Sequence, residues 1–218
     1  MSGVNTFLAR YLSVFLEGAL VTLELALAAI AIVIVWGLVV AVARLSRVRG
    51  LAALAGGYIQ LMRNTPLLVQ IYFIYFGFAM AGFGLSGFAS GLLALCLQNG
   101  AYAAEIYRGG LQSLSVKQIE GGRALGMTPW LTFRIVVLPQ AVARVVPPLG
   151  NQFVLILKDT SIVSAIAVGE LTHVGKLLSE RTAATYEIFF VLAAFYLVMT
   201  SIVTTLVRLN ERRVALLV

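Results

Sequence analysis

Charge, cysteine and histidine are all scarce in this chain. Only 11% of its 218 residues are charged, 61% are hydrophobic, and the mean hydropathy is +0.98. So little polar surface could not cover a soluble domain, and the composition points to an integral membrane protein. The single cysteine, Cys96, excludes an intrachain disulfide. With His173 the only histidine, neither a His- or Cys-built metal site nor a Cys–His catalytic pair is expected. Catalytic signatures are missing as well: there is no HExxH, no GxSxG and no constellation of paired intramembrane carboxylates. The phosphate-binding pattern GxxxxGK[ST] is approached only at residues 169–176, where the spacing is wrong and Leu177 follows. The chain is therefore not expected to be an enzyme or to hold a nucleotide of its own. It also lacks an internal repeat, a frequent mark of secondary transporters. A gradient-driven secondary transporter or channel subunit stands as the competing reading from another class.

What the chain has in abundance is apolar runs long enough to cross a bilayer, which takes about 20 residues of helix. Five are read: 18–43, interrupted by Glu24; 67–81, or from Tyr58 if Arg63 lies at the membrane surface; 87–104; 135–168; and 188–207, which is free of charge. The fourth is irregular and holds Arg144, Pro147, Pro148, Lys158 and Asp159; the two prolines remove backbone donors and should kink it. Five crossings put the termini on opposite sides and sort the basic residues into two sets. Arg44, Arg47, Arg49, Arg63, Arg108, Lys117, Arg123, Arg134, Arg208, Arg212 and Arg213 fall on one side, and Arg10, Lys176 and Arg181 on the other. The richer side is the cytoplasmic one, which places the N-terminus outside and the C-terminus inside. Topology thus explains the net charge of +7, and nucleic acid is not an expected partner. The first run is longer than a signal-peptide core and its arginines follow it, so it is expected to stay in the mature protein.

Gly82, Gly84 and Gly87 punctuate a turn between the second and third runs, and Gly87 with Gly91 forms a GxxxG that could permit close helix approach. A longer polar loop, about 108–134, leaves the third run with Gly109, Gly110, Ser113 and Ser115 and then presents a short helical stretch, 118–125. Gly126 suits the left-handed position that ends a helix, and Pro129 the first turn of the next. A helix this short is marginal in water, and Gly121 and Gly122 each cost about 1 kcal/mol relative to alanine. It is expected to need a partner surface, a plain connecting loop being the alternative. Glu17 and Glu24, seven residues apart, share a face of the first run and suit bundle packing or a surface position. His173 is read in an outer, solvated loop with Lys176, Glu180 and Arg181.

Several motifs then agree in order and spacing. Arg63-Asn64-Thr65-Pro66-Leu67-Leu68-Val69-Gln70 resembles the signature opening the second span in permease subunits of bacterial polar-amino-acid ABC importers, the histidine/glutamine/glutamate type. Gly100-Ala101-Tyr102-Ala103-Ala104-Glu105-Ile106-Tyr107-Arg108-Gly109-Gly110 resembles the segment closing the third. Leu138-Pro139-Gln140-Ala141, with Arg144 and Pro147, resembles the entry to the fourth, and Lys158-Asp159-Thr160-Ser161 its distal half. Glu120, Gly126 and the run from Leu138 stand at the spacing of the loop by which such permeases engage their ATPases. Gly121 and Gly122 depart from it, standing where the family usually has two alanines, and Lys117 stands where a glycine is common.

The resemblance implies an all-α integral membrane chain, residues 1–218 forming one permease domain of five transmembrane helices with the type I importer fold and a short cytoplasmic coupling helix. Its place would be the bacterial cytoplasmic (inner) membrane. Its partners would be two ABC ATPase subunits that hold ATP and Mg, a second permease as homodimer or heterodimer, an extracytoplasmic solute-binding protein, and membrane lipid. It would translocate a polar amino acid or close analogue and bind no cofactor. Glu120, Gly121, Gly122, Ala124, Leu125 and Gly126 become the coupling positions, Glu120 anchoring the helix and Gly126 turning the chain back. Lys158, Asp159, Thr160 and Ser161 lie where an unpaired aspartate costs about 2.5–3.5 kcal/mol, so they need a partner or a function. Neighbours in sequence do not face each other on a helix, which disfavours an internal Lys158–Asp159 pair. The functional alternative puts Asp159 on a central cavity against the α-amino group of an amino acid, with Thr160 or Ser161 adding hydrogen bonds. Asn99 is either a further contact or an interhelical hydrogen bond.

Overall fold

The computed structural model describes residues 2–215, with side chains described over 10–211. Arg212 and Arg213, counted above in the basic set, lie outside the described side chains. All regular structure among the described residues is helical: α1 (Ser2–Arg44), α2 (Arg49–Asn64), α3 (Leu67–Met80), α4 (Gly87–Gln112), α5 (Val116–Ala124), α6 (Pro129–Ile166), α7 (Leu171–Thr182) and α8 (Thr185–Ala215). One π turn interrupts α3 at Phe73–Gly77 and another interrupts α6 at Phe133–Val137. The last turns of α6, Thr160–Ile166, tighten to 3-10 geometry.

By length and composition α1, α6 and α8 can each cross a membrane. The 26-residue α4 is long enough but more polar, because it sits at the centre of the bundle against α1, α2, α3 and α6. Protein solvates it instead of lipid. A Cβ on Gly37 of α1 would come within 2.6 Å of the Ala103 Cβ, and one on Gly100 of α4 within 2.4 Å of the Trp36 ring. Small residues thus let the two backbones close up, which is how membrane helices gain packing without a hydrophobic driving force between them. The GxxxG of α4 works likewise: a Cβ on Gly91 would overlap Val163 at 2.3 Å, and one on Gly87 would touch Val168 at 3.0 Å. The tip of α6 is seated there.

A helix running unbroken from Tyr58 into the second run does not form. Pro66 has no N–H and turns Thr65 to extended backbone (φ −111°, ψ 139°), so α2 and α3 are separate helices. The break frees the carbonyls of Met62 and Thr65. Gln70 Nε2 donates to them at 3.0 and 3.3 Å, and Gln98 Nε2 of α4 at 3.4 and 3.0 Å. Two buried glutamines thereby satisfy backbone that would otherwise be orphaned. At 1.5 Å per residue α3 is about 21 Å long, less than the roughly 30 Å of hydrocarbon.

The segment with His173, expected to be an outer loop, is likewise not a loop. It is α7, begun by Glu170, whose carboxylate accepts from the backbone N–H of Thr172 (2.9 Å) and His173 (2.7 Å) and so caps the helix. Gly175 lets α7 lie directly on Leu192 of α8. Glu17 and Glu24 are both exposed. Three apolar clusters complete the packing, the smallest joining α1, α2 and α4 through Val40, Ile59 and Ala101. Leu25, Ile71, Leu95, Ile156 and Val163 join α1, α3, α4 and α6; Phe15, Leu157, Leu171, Ile188 and Met199 join α1, α6, α7 and α8.

Candidate functional site

The central pair of helices, α4 and α6, shares a short polar string inside an otherwise apolar contact. Gln152 Nε2 of α6 donates to Asn99 Oδ1 of α4 at 2.6 Å. Asn99 Nδ2 in turn donates to the Leu95 carbonyl at 3.1 Å and reaches Asp159 Oδ2 at 3.5 Å. Asn99 is 1% exposed and Gln152 is buried, whereas Asp159 is half-buried. Gln152 and Asp159 stand seven residues apart, two turns along one face of α6, which is why a single asparagine can address both. Among the described residues the string leaves most of the accepting capacity of Asp159 unspent.

The other polar residues of this turn are engaged differently. Thr160 is fully buried and its hydroxyl donates to the Leu157 carbonyl at 2.7 Å. Ser161 Oγ donates to the Lys158 carbonyl at 2.7 Å. Both hydroxyls hold the transition from α-helix to the tighter terminal turns. Lys158 is exposed, and among the described residues neither it nor Asp159 enters an ion pair. Pro147 and Pro148 lie inside α6, which stays helical through them; they leave the Ala143 and Arg144 carbonyls without their helical donors.

At the opposite end of α4 and α6 lies α5. Ser115 caps it, its Oγ accepting from Lys117 N at 3.3 Å. Gly126 ends it at φ +78°, donating to the Arg123 carbonyl (2.9 Å) while Met127 N donates to that of Gly122 (3.1 Å). This pair of bonds is the Schellman arrangement, which needs a left-handed residue and so selects glycine. Thr128 then caps the next helix, whose first residue is Pro129. The expected 118–125 thus lengthens at its start to Val116–Ala124. Of the two glycines, Gly121 faces open space, but Gly122 is buried and a Cβ there would meet Thr132 of α6 at 2.9 Å. Gly122 is therefore also a seat: it lets the short helix rest on the start of α6, and α5 has a partner surface within its own chain.

What α5 presents outward is apolar and of mixed charge, with Lys117, Glu120 and Arg123 all exposed. Leu125 is 80% and Val116 66% exposed, and Glu120, Gly121 and Ala124 are exposed beside them. The base of this loop is braced. Arg144 of α6 donates through Nη1 to the Ser113 carbonyl and, at 2.8 Å, to its hydroxyl, while Ser113 Oγ donates to the Gly110 carbonyl at 2.8 Å. Next to it a Cβ on Gly110 would overlap Val145 at 2.3 Å, so α4 and α6 touch where the loop departs. Nearby Arg108 forks onto both oxygens of Glu105 (2.9 and 2.7 Å), and Arg63 lies 3.6 Å from the same carboxylate.

The geometry thus brings Asn99 and Asp159 together, places Thr160 and Ser161 in backbone bonds beside them, and leaves Lys158 facing outward. Gln152 and Arg144, to which motif reading alone gave no role, join the candidate site through their hydrogen bonds. Gln152 carried a signal, being a lone amide two turns before Asp159 in an apolar run.

Comparison with known proteins converges on one family. Residues 33–216 match the profile of the binding-protein-dependent transport system inner membrane component. The chain is 42% identical to the nopaline transport system permease protein NocM of Agrobacterium fabrum over 200 residues, covering 87% of this chain and 83% of that one. It is 37% identical to the glutamine transport system permease protein GlnP of Escherichia coli K12, covering 93% of each. Among solved structures, an amino acid ABC transporter crystallised with histidines superposes with a TM-score of 0.90 at 36% identity, covering 95% of this chain and 97% of that one. The methionine ABC transporter MetNI, facing inward, shares the fold at 17% identity, with a TM-score of 0.75 and coverage of 94% and 98%. The chain therefore belongs to the binding-protein-dependent transport system inner membrane components, the permease subunits of ABC importers, which leave ATP hydrolysis to a partner.

Proposed function

We propose that this chain is one half of the membrane pore of an ATP-driven importer for a polar amino acid or close analogue, with Asp159, Asn99 and Gln152 as its translocation site and α5 as its coupling helix. One arrangement carries the reading: the two helices that hold the polar string are the two that end on the braced, outward-facing α5. At 1.5 Å per residue Asn99 lies about 21 Å along α4 from Ser113, and Asp159 about 22 Å along α6 from Arg144. A push on α5 is delivered to both helices at once. A short helix seated in a cleft of an ATPase transmits such a push as a rigid body, where a flexible loop would absorb it.

The relatives named for glutamine and nopaline transport support an amino acid as cargo. An α-ammonium offers three donors to an aspartate whose accepting positions are largely free, and Asn99 holds that carboxylate from behind. Ser161 and Thr160 shape the turn that presents it, and Lys158 stands free for the cargo's carboxylate. The half-buried position of Asp159 suits a cavity completed by a second permease, either a copy or a related chain, above two ATPases that bind ATP and Mg. A solute-binding protein would feed the site from the α7 side. The five crossings would be α1, α3, α4, α6 and α8, with the N-terminus outside and the C-terminus in the cytoplasm.

The test is uptake of labelled amino acid by the assembled importer in proteoliposomes. Asp159→Asn keeps the shape and removes the charge, and should abolish accumulation while the ATPases stay bound. Glu120→Trp should instead detach them. Normal uptake kinetics in both variants would show that Asp159 does not hold the cargo and that Glu120 does not anchor the ATPase.

A further inference from the structure

Between Glu24 and Glu105 the chain contains no acidic residue, yet Arg44, Arg47, Arg49 and Arg63 all fall in that interval. Two of the four are accounted for within the fold. Arg44 Nη1 donates to the Ala52 carbonyl at 3.1 Å and so braces the elbow between α1 and α2. Arg63 lies against Glu105 and, at 5.1 Å, over the Tyr102 ring. Arg47 and Arg49 are exposed, and among the described residues they have no ion pair or hydrogen-bond partner.

The same elbow holds an apolar groove of about 600 Å³, lined by Val39, Val42, Ala43, Leu45, Ser46 and Leu51. From it α2 runs on with Val48 (64% exposed), Leu51, Leu54 (75% exposed) and Leu61 bare along its length. A helix with an open apolar stripe and arginines at its start has the character of one lying in a membrane interface. Apolar wall and unpaired guanidinium groups are therefore adjacent and demand an occupant with both characters.

We propose that the α1–α2 elbow is a binding site for an anionic phospholipid, its phosphate held by the forked guanidinium groups of Arg47 and Arg49 and an acyl chain lying in the groove. Guanidinium matches a phosphate in two-point geometry, and among the described residues no carboxylate pairs with Arg47 or Arg49 to compete with the anion. The uncharged residues below it exclude water from the chain. A protein partner such as the ATPase would match the arginines but would leave the groove unexplained.

Trp36, one turn from Val39 and partly exposed, is a native reporter for this groove. In full-length protein carrying Trp130→Phe, so that Trp36 is the only tryptophan, quenching by brominated phosphatidylglycerol should exceed quenching by brominated phosphatidylcholine. The preference should fall about fivefold for each of Arg47→Gln and Arg49→Gln, the scale expected for one arginine at an anionic surface. Arg47→Lys/Arg49→Lys, point charges that cannot fork, should keep only part of it, and Arg208→Gln, far along the chain, should leave it unchanged. Equal quenching by the two lipids, or an equal loss in Arg208→Gln, would overturn the site. So would a double glutamine variant that sheds the ATPase subunits with its lipid preference intact.

Discussion

Gly126 offers a perturbation whose cost is confined to one backbone angle. Its φ of +78° lies in the left-handed region, and a Cβ added there would meet nothing within 4 Å. Substitution is therefore penalised by conformation alone. An L-residue forced left-handed costs about 1–2 kcal/mol, with alanine toward the lower figure, a β-branched residue above it, and asparagine least. The nine-residue α5 has little stability of its own to spend against that. A loss of about 1–2 kcal/mol lowers the population of the intact helix end some 5- to 30-fold. The assay is amino acid transported per ATP hydrolysed in proteoliposomes, with hydrogen exchange over residues 116–127 alongside. Gly126→Asn should stay near the parent, Gly126→Ala should fall severalfold, and Gly126→Val should fall tenfold or more and lose protection. Thermal stability of the bundle should not change, because α5 contributes no residue to the three apolar clusters. A valine variant with unchanged stoichiometry would refute the claim that the Schellman end of α5 transmits the stroke.

Two further outcomes are expected. Arg144→Ala removes the two hydrogen bonds that one guanidinium nitrogen gives Ser113; a charged hydrogen bond contributes about 1.5–3 kcal/mol, discounted to about 1 for an exposed arginine, so transport per ATP should fall about fivefold with the KM for substrate unchanged. Arg144→Lys, a shorter and more strongly hydrated point charge, should recover only part of it. The second concerns pH. Glu170 is fully buried, and that burial raises its carboxyl above the usual range, against the opposing pull of hydrogen bonds from Thr172, His173 and Tyr196. The folded state then holds a proton the unfolded state has already released, so this group's contribution is complete below the unfolded pKa and is lost as pH rises through the folded one. Unfolding temperature in detergent should decline across that window by the equivalent of up to about 1.4 kcal/mol per pH unit, and Glu170→Gln should flatten the slope. Identical slopes would contradict the assignment.

Local chemistry was legible in the sequence wherever it acts over a few residues. Gly126 and Pro129 marked the end of one helix and the start of the next because left-handed backbone and a missing N–H each leave one choice of residue. What sequence could not supply were partners from distant segments. Gln152 and Asn99 are 53 residues apart in the chain, and only the packing of α6 on α4 brings them to 2.6 Å. The break at Pro66 was visible as a residue, yet whether the run from Tyr58 ended there depended on Gln70 and Gln98 being on hand for the freed carbonyls. Gly122 looked like a weakness by helix propensity, and Thr132, ten residues on, gives it a packing purpose. The α7 segment looked like a solvated loop since its polar residues dominate, while its order comes from the Glu170 cap and the Gly175 contact with Leu192. The run 87–104 was legible as a helix, but not that protein packs around it on several sides.

The most direct measurement of the central claim is the energy source of uptake. In proteoliposomes holding this chain, its ATPases and a second permease, with binding protein on the outer face, labelled amino acid should accumulate only when ATP is enclosed, and Asp159→Asn should end that accumulation with the complex intact. Accumulation driven by an imposed ion gradient without ATP, or undiminished by Asp159→Asn, would contradict the account.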